Sequence, residues 1–386
     1  MSEQSSGCDY LSKKWSLDEK DLKILTALDG LGGNASAQQI SDYIHKEMKE
    51  EKGEEPIPAR TVRYRISTLF ERGVLLPSIL QTDERKIGLG EGILILHEGP
   101  AMSKVLENLI QQIPIFYWYV PTHGRYDGFL IHTVFDMTRP DMISEIAESM
   151  KKKGLVTDFS FFEIVDNESK KIDFTKYRSS GRWICDWENW KKNIEKNLRE
   201  GPKSPFSLSK QHEIIDCDWI DILILRVLKN DPDSAIQSLA SITAMPIQQV
   251  RERVQKLRDS KVIKGYSRAY GFAGDLLWFS CFMKINERVG AILSSMYELP
   301  FPGVVLMADD MHYCVRFALS TSNLKQFLDG FRLIRPFLND YFFQFHLPDR
   351  IETKYENIFD LFDRKEGKWN IPLKDYIKIV REHSEK

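Results

Sequence analysis

Apolar positions along the chain fall into two spacings, and the order in which these alternate predicts the elements. Leu17, Ile24, Leu25 and Leu28 share one helical face, with Asp18 where a carboxylate favours the positive end of a helix dipole, so a first helix is predicted there. Ser36 or Asn34 can cap a second helix carrying Ile40 and Ile44. Pro58 sits where proline is tolerated at the start of a third, whose buried stripe is Val62, Ile66 and Leu69. A Pro-interrupted apolar strand over 74–79 completes the pattern of a winged helix-turn-helix. The chain then reads as strand 92–97, helix 101–112, strands 115–121 and 128–136, helix 140–153 and strand 158–165, the β-α-β-β-α-β order of a ferredoxin-like fold.

The whole pattern occurs twice. Asp18, Asp21, Ile24, Leu25 and Leu28 return 200 positions later as Asp218, Asp221, Ile224, Leu225 and Leu228. Pro58, Val62, Arg63, Arg65, Ile66, Leu69 and Val74 return 188 positions later as Pro246, Val250, Arg251, Arg253, Val254, Leu257 and Val262, and Gly181-Arg182-Trp183 is echoed by Gly367-Lys368-Trp369. The fall from 200 to 188 places 12 extra residues in the first copy, in the charged stretch from 46 to 58. A second set of strands is predicted near 276–285, 304–307, 313–319 and 341–346, with helices within 289–298 and 323–335. The expected class is therefore α+β, two repeats, each a winged helix-turn-helix head followed by a ferredoxin-like βαββαβ domain. The expected units are a tail (1–15), a first head (16–90) and first ferredoxin-like domain (91–167), an aromatic arm and linker (168–213), a second head (214–272) and second ferredoxin-like domain (273–348), and a C-terminal arm (349–386). Trp183, Trp187 and Trp190, at i, i+4 and i+7, predict a packing stripe on one face of a helix.

Composition narrows the function classes. The 386 residues are 42% hydrophobic and 28% charged, the balance of a folded chain, and too many for one core. A net charge of −2 gives no overall basic signal, so nucleic-acid binding has to come from a local patch. The longest nearly apolar stretch, 276–285, is far short of the roughly 20 residues that span a bilayer, and 1–8 lacks the apolar region of a signal peptide. A cytoplasmic protein with no membrane partner is expected. Five scattered cysteines without a Cys-x-x-Cys pair predict neither disulfides nor a zinc site. With no triad, phosphate loop or metal-ligand spacing, neither an enzyme nor a cofactor is expected.

The local patch is on the third helix of each head. With Val62, Ile66 and Leu69 inward, Arg60, Tyr64, Ser67 and Thr68 turn outward and Thr61, Arg63 and Arg65 flank them. Arginine at such a helix can bind guanine bidentately and Thr or Tyr can meet bases or phosphate, while Arg63 and Arg65 suit phosphate. In the second copy Gln248, Gln249, Glu252, Gln255 and Lys256 face outward beside Arg251 and Arg253, so the two faces differ, with Glu252 where the first has Tyr64. Double-stranded DNA is the expected partner.

Asp218-x-x-Asp221-x-x-Ile224-Leu225-x-x-Leu228, then Val250-Arg251-x-Arg253-Val254-x-x-Leu257, then Val262-Ile263-Lys264-Gly265-Tyr266, resembles the Lrp/AsnC family of prokaryotic transcription factors. The first copy is similar, apart from its insertion and a wing over 75–89 without the Ile-Lys-Gly-Tyr run. The resemblance implies an effector-binding ferredoxin-like domain, paired face to face with another, hence an intramolecular pseudo-dimer in this chain. It also implies a small effector, often an amino acid, at a Gly-Asp-aromatic-Asp turn. The matching residues here are Gly124, Arg125, Tyr126 and Asp127, and Asp309, Asp310, Met311 and His312, so each copy keeps part of the motif and an ordinary hairpin turn is the other reading. Two further readings stand beside a sequence-specific regulator. One is a non-specific architectural DNA-binding protein. The other is an enzyme like the siroheme decarboxylases, whose architecture is similar and whose His-Asn-Tyr-Leu-Arg signature is faintly similar to His312-Tyr313-x-x-Arg316.

Overall fold

The structure is a computed structural model, and it describes residues 17–47, 56–178, 182–202, 208–210, 213–271, 276–347 and 355–383. The tail over 1–15, most of the inserted stretch, Gly181 and the joint at 203–207 lie outside the described residues.

Each head is three helices whose starts are written in the sequence. Asp18 opens α1 (Glu19–Leu31) by accepting from the Asp21 N–H at 2.9 Å, while the Asp21 carboxylate accepts from the Asp18 N–H. Asp218 and Asp221 repeat this device at α7 (Trp219–Asn230). Ser36 and Gln39 cap α2 (Ala37–Glu47) reciprocally. Pro58 and Pro246, with φ of −61° and −59°, precede α3 (Ala59–Glu71) and α9 (Ile247–Asp259); α8 (Ile236–Thr243) lies between α7 and α9. Val62 and Leu69 in the first head, and Val250, Val254 and Leu257 in the second, are buried against the preceding helices.

The strand expected over 74–79 forms as β1 (Leu75–Thr82), but among the described residues it has no hairpin partner in its own head. It pairs antiparallel with β7 (Ile263–Tyr270) of the second head, Ile79 opposite Ser267 and Gln81 opposite Gly265. The wings thus form a two-stranded ribbon between the heads.

The first ferredoxin-like domain comprises β2 (Leu89–Glu98), α4 (Ser103–Gln112), β3 (Phe116–Gly124), β4 (Gly128–Asp136), α5 (Met142–Lys152) and β5 (Val156–Ile164). The second comprises β8 (Leu276–Ile285), α10 (Val289–Tyr297), β9 (Gly303–Met307), β10 (His312–Ser320), α11 (Thr321–Ile334) and β11 (Leu338–His346). The mixed α+β class with helix-turn-helix heads and ferredoxin-like sheets is the one expected. Their strands form one nine-stranded sheet, β5-β2-β4-β3-β11-β8-β10-β9-β6, in which β6 (Asp166–Lys170) is the direct continuation of β5. The two half-sheets are therefore sewn together at both edges, by β3 on β11 and by β6 on β9. Their inner faces share a core of Ile93, Ile95, Val120, Leu130, Ile164, Phe282, Leu306 and Cys314, with Phe282 stacked on Phe342 at 4.8 Å.

The arms cross over. Phe174, Tyr177 and Trp183 pack beneath the first head, and then α6 (Trp187–Glu200) lies on α10 and α11 of the second half. The Trp190 indole N–H donates to the Ser295 carbonyl at 2.8 Å and its ring stacks on Phe327; Trp187 and Trp190 thus pack from one helix as expected, but Trp183 falls outside that helix, in a two-residue strand (Arg182–Trp183) before it. In return the Trp369 indole N–H donates to the Ile87 carbonyl at 2.6 Å, and α12 (Leu373–His383) covers α4 and α5.

Candidate functional site

Two regions bear chemistry: the outward faces of α3 and α9, and a cleft where the second head meets the sheets. On α3, Arg60, Arg63 and Tyr64 are exposed, Tyr64 by 72%, and their side chains make no hydrogen bond or ion pair among the described residues. Thr61 is half-buried beside them, and Thr68 donates its hydroxyl back to the Tyr64 carbonyl at 3.2 Å. Arg65 points elsewhere: its guanidinium bonds Asp18 and Asp21, each at 2.7 Å, and so clamps α3 to α1. Arg253 does the same with Asp218 and Asp221, both at 2.8 Å. Lys256 donates to the Asp216 carbonyl at 2.8 Å. These three basic residues, expected on the DNA face, are spent within their heads because two cap aspartates stand beside each arginine. On α9 the outward groups pair with one another, Arg251 donating to Gln248 at 3.2 Å and Gln248 to Glu252 at 2.9 Å, while Gln249 is exposed.

The two turns have local tasks. A Cβ on Gly124, whose φ is 153°, would lie 2.2 Å from the Phe343 carbonyl oxygen, so the β3–β11 seam requires glycine there. Gln344 braces this turn through both backbone groups of Tyr126, Arg125 pairs with Asp340 at 2.9 Å, and Asp127 accepts from His123 at 3.0 Å. At the other turn Asp309 accepts from the His312 N–H and faces its ring at 2.8 Å, and Asp310 pairs with Lys210 at 2.6 Å. Asp309 and His312 line a cavity of about 330 Å³ with Lys284, Asp340 and Phe342.

The larger cleft, about 740 Å³, lies between Lys229 and Lys264 of the second head, the β1 wing, and Tyr117, Trp118, His132 and Arg316 of the sheets. His132 and Arg316 occupy matching places in the two copies, opposite Ile93 on β2 and Ser280 on β8. Arg316 donates to His132 Nε2 at 2.8 Å and to Ser280 Oγ at 3.2 Å, and its guanidinium lies 5.4 Å from the Trp118 ring centre. Since arginine only donates, His132 carries its proton on Nδ1, which faces the Tyr117 hydroxyl at 3.4 Å; that hydroxyl reaches Glu91 at 3.3 Å. Ser280, accepting from Arg316, also meets His346 Nε2 at 3.0 Å. Burial, with the Arg316 charge adding, holds His132 well below the ordinary histidine range and His346 at about 2. Burial, joined by the Glu84 charge, pushes Glu91 up to about 8. Glu84 is tied to Lys229 at 3.1 Å and accepts from the hydroxyls of Thr82 and Tyr355; against the cost of burial, Lys229 holds it below the usual carboxylate range. Sequence reasoning passed over this group except for Arg316. The available signal was a basic residue set among apolar ones on an inward strand face, in Phe129–Phe135 as in Tyr313–Leu319.

A model of winged helix-turn-helix DNA-binding domains matches residues 218–264. No curated protein matches the chain. Among solved structures, the siroheme decarboxylase NirDL is similar at 10% identity and a TM-score of 0.48, over 88% of this chain and 97% of that one. A second NirDL structure, in complex with an iron-uroporphyrin III analogue, is similar at 10% identity and a TM-score of 0.45, over 78% and 88%. Both neighbours are an enzyme, against the expectation that the chain is no enzyme; at this identity and TM-score the likeness assigns this chain no reaction.

Proposed function

We propose that the chain is a cytoplasmic, sequence-specific regulator of the Lrp/AsnC kind that binds double-stranded DNA as a covalent pseudo-dimer, with the first head reading more of the sequence. The observation that carries this reading is the contrast between the recognition helices: Arg60, Arg63 and Tyr64 are exposed on α3 and unengaged among the described residues, whereas Gln248, Arg251 and Glu252 bond one another on α9. A donor with no partner to surrender meets a base edge without the loss that breaking an internal bond brings. A matching helix-turn-helix model over the second head supports the DNA partner. Within the same reading, the exposed carboxylates of Asp127 and Asp310 would receive the amino group of a small effector.

Fragments selected from genomic DNA by the full chain test the reading. Recovered sites are expected to be imperfect palindromes with one better-defined half, since unlike helices place unlike demands on their half-sites. Arg60→Ala is expected to relax preference at one position of that half by about 1–3 kcal/mol, and Arg63→Ala to weaken all sequences alike and lower the salt slope by about one. Symmetric sites, or equal effects of Arg60→Ala and Gln248→Ala, would remove the inequality; no enrichment of any sequence would remove the reading.

A further inference from the structure

Arg316 is half-buried, and among the described residues its guanidinium has no counter-ion. Its bonds go to a serine hydroxyl and a neutral histidine ring, and no carboxylate among the described residues pairs with it. Glu91 is reached only through Tyr117 and His132. The other cations of the cleft are neutralised, Lys229 by Glu84 and Lys264 by Asp166 at 3.5 Å. Withdrawing an unpaired cation even partly from water is unfavourable, and a fold that keeps one beside a 740 Å³ cleft has positioned it for something outside the chain.

We propose that the cleft is a binding site for a small organic carboxylate, held by Arg316 against the Trp118 ring, between the second head and the sheets. A carboxylate matches the planar fork of arginine in two parallel hydrogen bonds. It also suits the site better than a phosphate, because with Lys229 and Lys264 already paired Arg316 offers one unmatched positive charge, which a single carboxylate balances and a dianion exceeds. Tyr117, Trp118 and Tyr355 supply ring surface for an apolar or aromatic body. Lys229 and Lys264 bring the second head into the same wall, so the occupant touches both a DNA-facing unit and the sheets. The site is distinct from the Gly124–Asp127 and Asp309–His312 turns, and the inference does not depend on the DNA-binding reading.

Benzoate is the probe, with benzamide as its uncharged counterpart, and the melting temperature of the full chain is the readout. At 20 mM, benzoate is expected to raise the melting temperature by about 1–2 °C and benzamide by less than a third of that, because a ligand stabilises the state that binds it. Arg316→Met is expected to abolish the benzoate shift, and Arg60→Ala, which does not line the cleft, to keep it in full. Should Arg316→Met not fold, Arg316→Lys, which keeps the charge and loses the fork, is expected to cut the shift at least threefold. No shift in the native chain, an equal shift with benzamide, or an unchanged shift in the Arg316 variant that folds overturns the proposal.

Discussion

Arg65 and Arg253 show how a residue's chemistry is decided by what folds beside it. Both stand on helix flanks where a phosphate contact is expected, yet each is claimed by a pair of aspartates that also cap the first helix. Asp221 is the most enclosed of these acids, its side chain 1% exposed, so Arg253→Ala leaves a buried carboxylate with the Asp218 N–H and, as its one remaining ion pair among the described residues, the 3.5 Å contact to Lys256. Stripping one partner from a fully buried pair costs about 3–5 kcal/mol; with Lys256 remaining, a loss of about 2 kcal/mol in chemical denaturation is expected. Loss of DNA affinity at unchanged stability would instead make Arg253 a phosphate contact. Glu91 gives a second residue-scale prediction. Its carboxyl titrates near 8 in the folded chain and near 4.5 unfolded, so folding binds a proton between these values and the group's contribution to stability falls as pH rises through that window. Glu91→Gln removes this contribution, so the variant is expected to gain on the native chain between pH 5 and pH 8 and to hold that gain above. Denaturation midpoints at pH 5, 7 and 9 check it, a constant difference ruling out the bound proton.

At the scale of elements, periodicity located the helices and strands because burial of one face is a local property of sequence. It could not name their partners. The first-head strand was legible from its apolar residues, but that it would pair with β7 rather than fold into a hairpin depended on a strand about 190 residues away. That Trp187 and Trp190 of α6 pack was legible, whereas their partner surface on α10 and α11, and the placing of Trp183 before the helix, were not. That surface is tight: a Cβ on Gly330 of α11 would lie 2.1 Å from the Trp190 ring. Gly330→Ala is therefore expected to lower stability by about 1–3 kcal/mol through overpacking, where an alanine in a helix otherwise helps. Adding Trp190→Phe, which frees space, should recover part of the loss, and strict additivity in that double-mutant cycle would show that the two do not meet.

For the whole molecule, the helix of each arm lies on the opposite half, and both edges of the second half-sheet are completed by strands of the first. The chain is thus expected to unfold in one cooperative step. Residues 1–202 expressed alone should show no such transition, and mixing with 208–386 should restore it, whereas two halves that each melt at the native temperature would contradict the interlock. By itself the sequence determined the helix caps, the alternation along the strands, the duplication and the order of elements, because each follows from the conformational preferences of residues close in the chain. Only the tertiary structure decided the rest: that Arg65 and Arg253 turn inward, that Gly124 serves a seam, and that His132 and Arg316 meet across two half-sheets although 184 positions separate them. Those outcomes depend on which distant surfaces are brought together, and burial then fixes which charge is paired, which is neutralised and which is left facing a cleft.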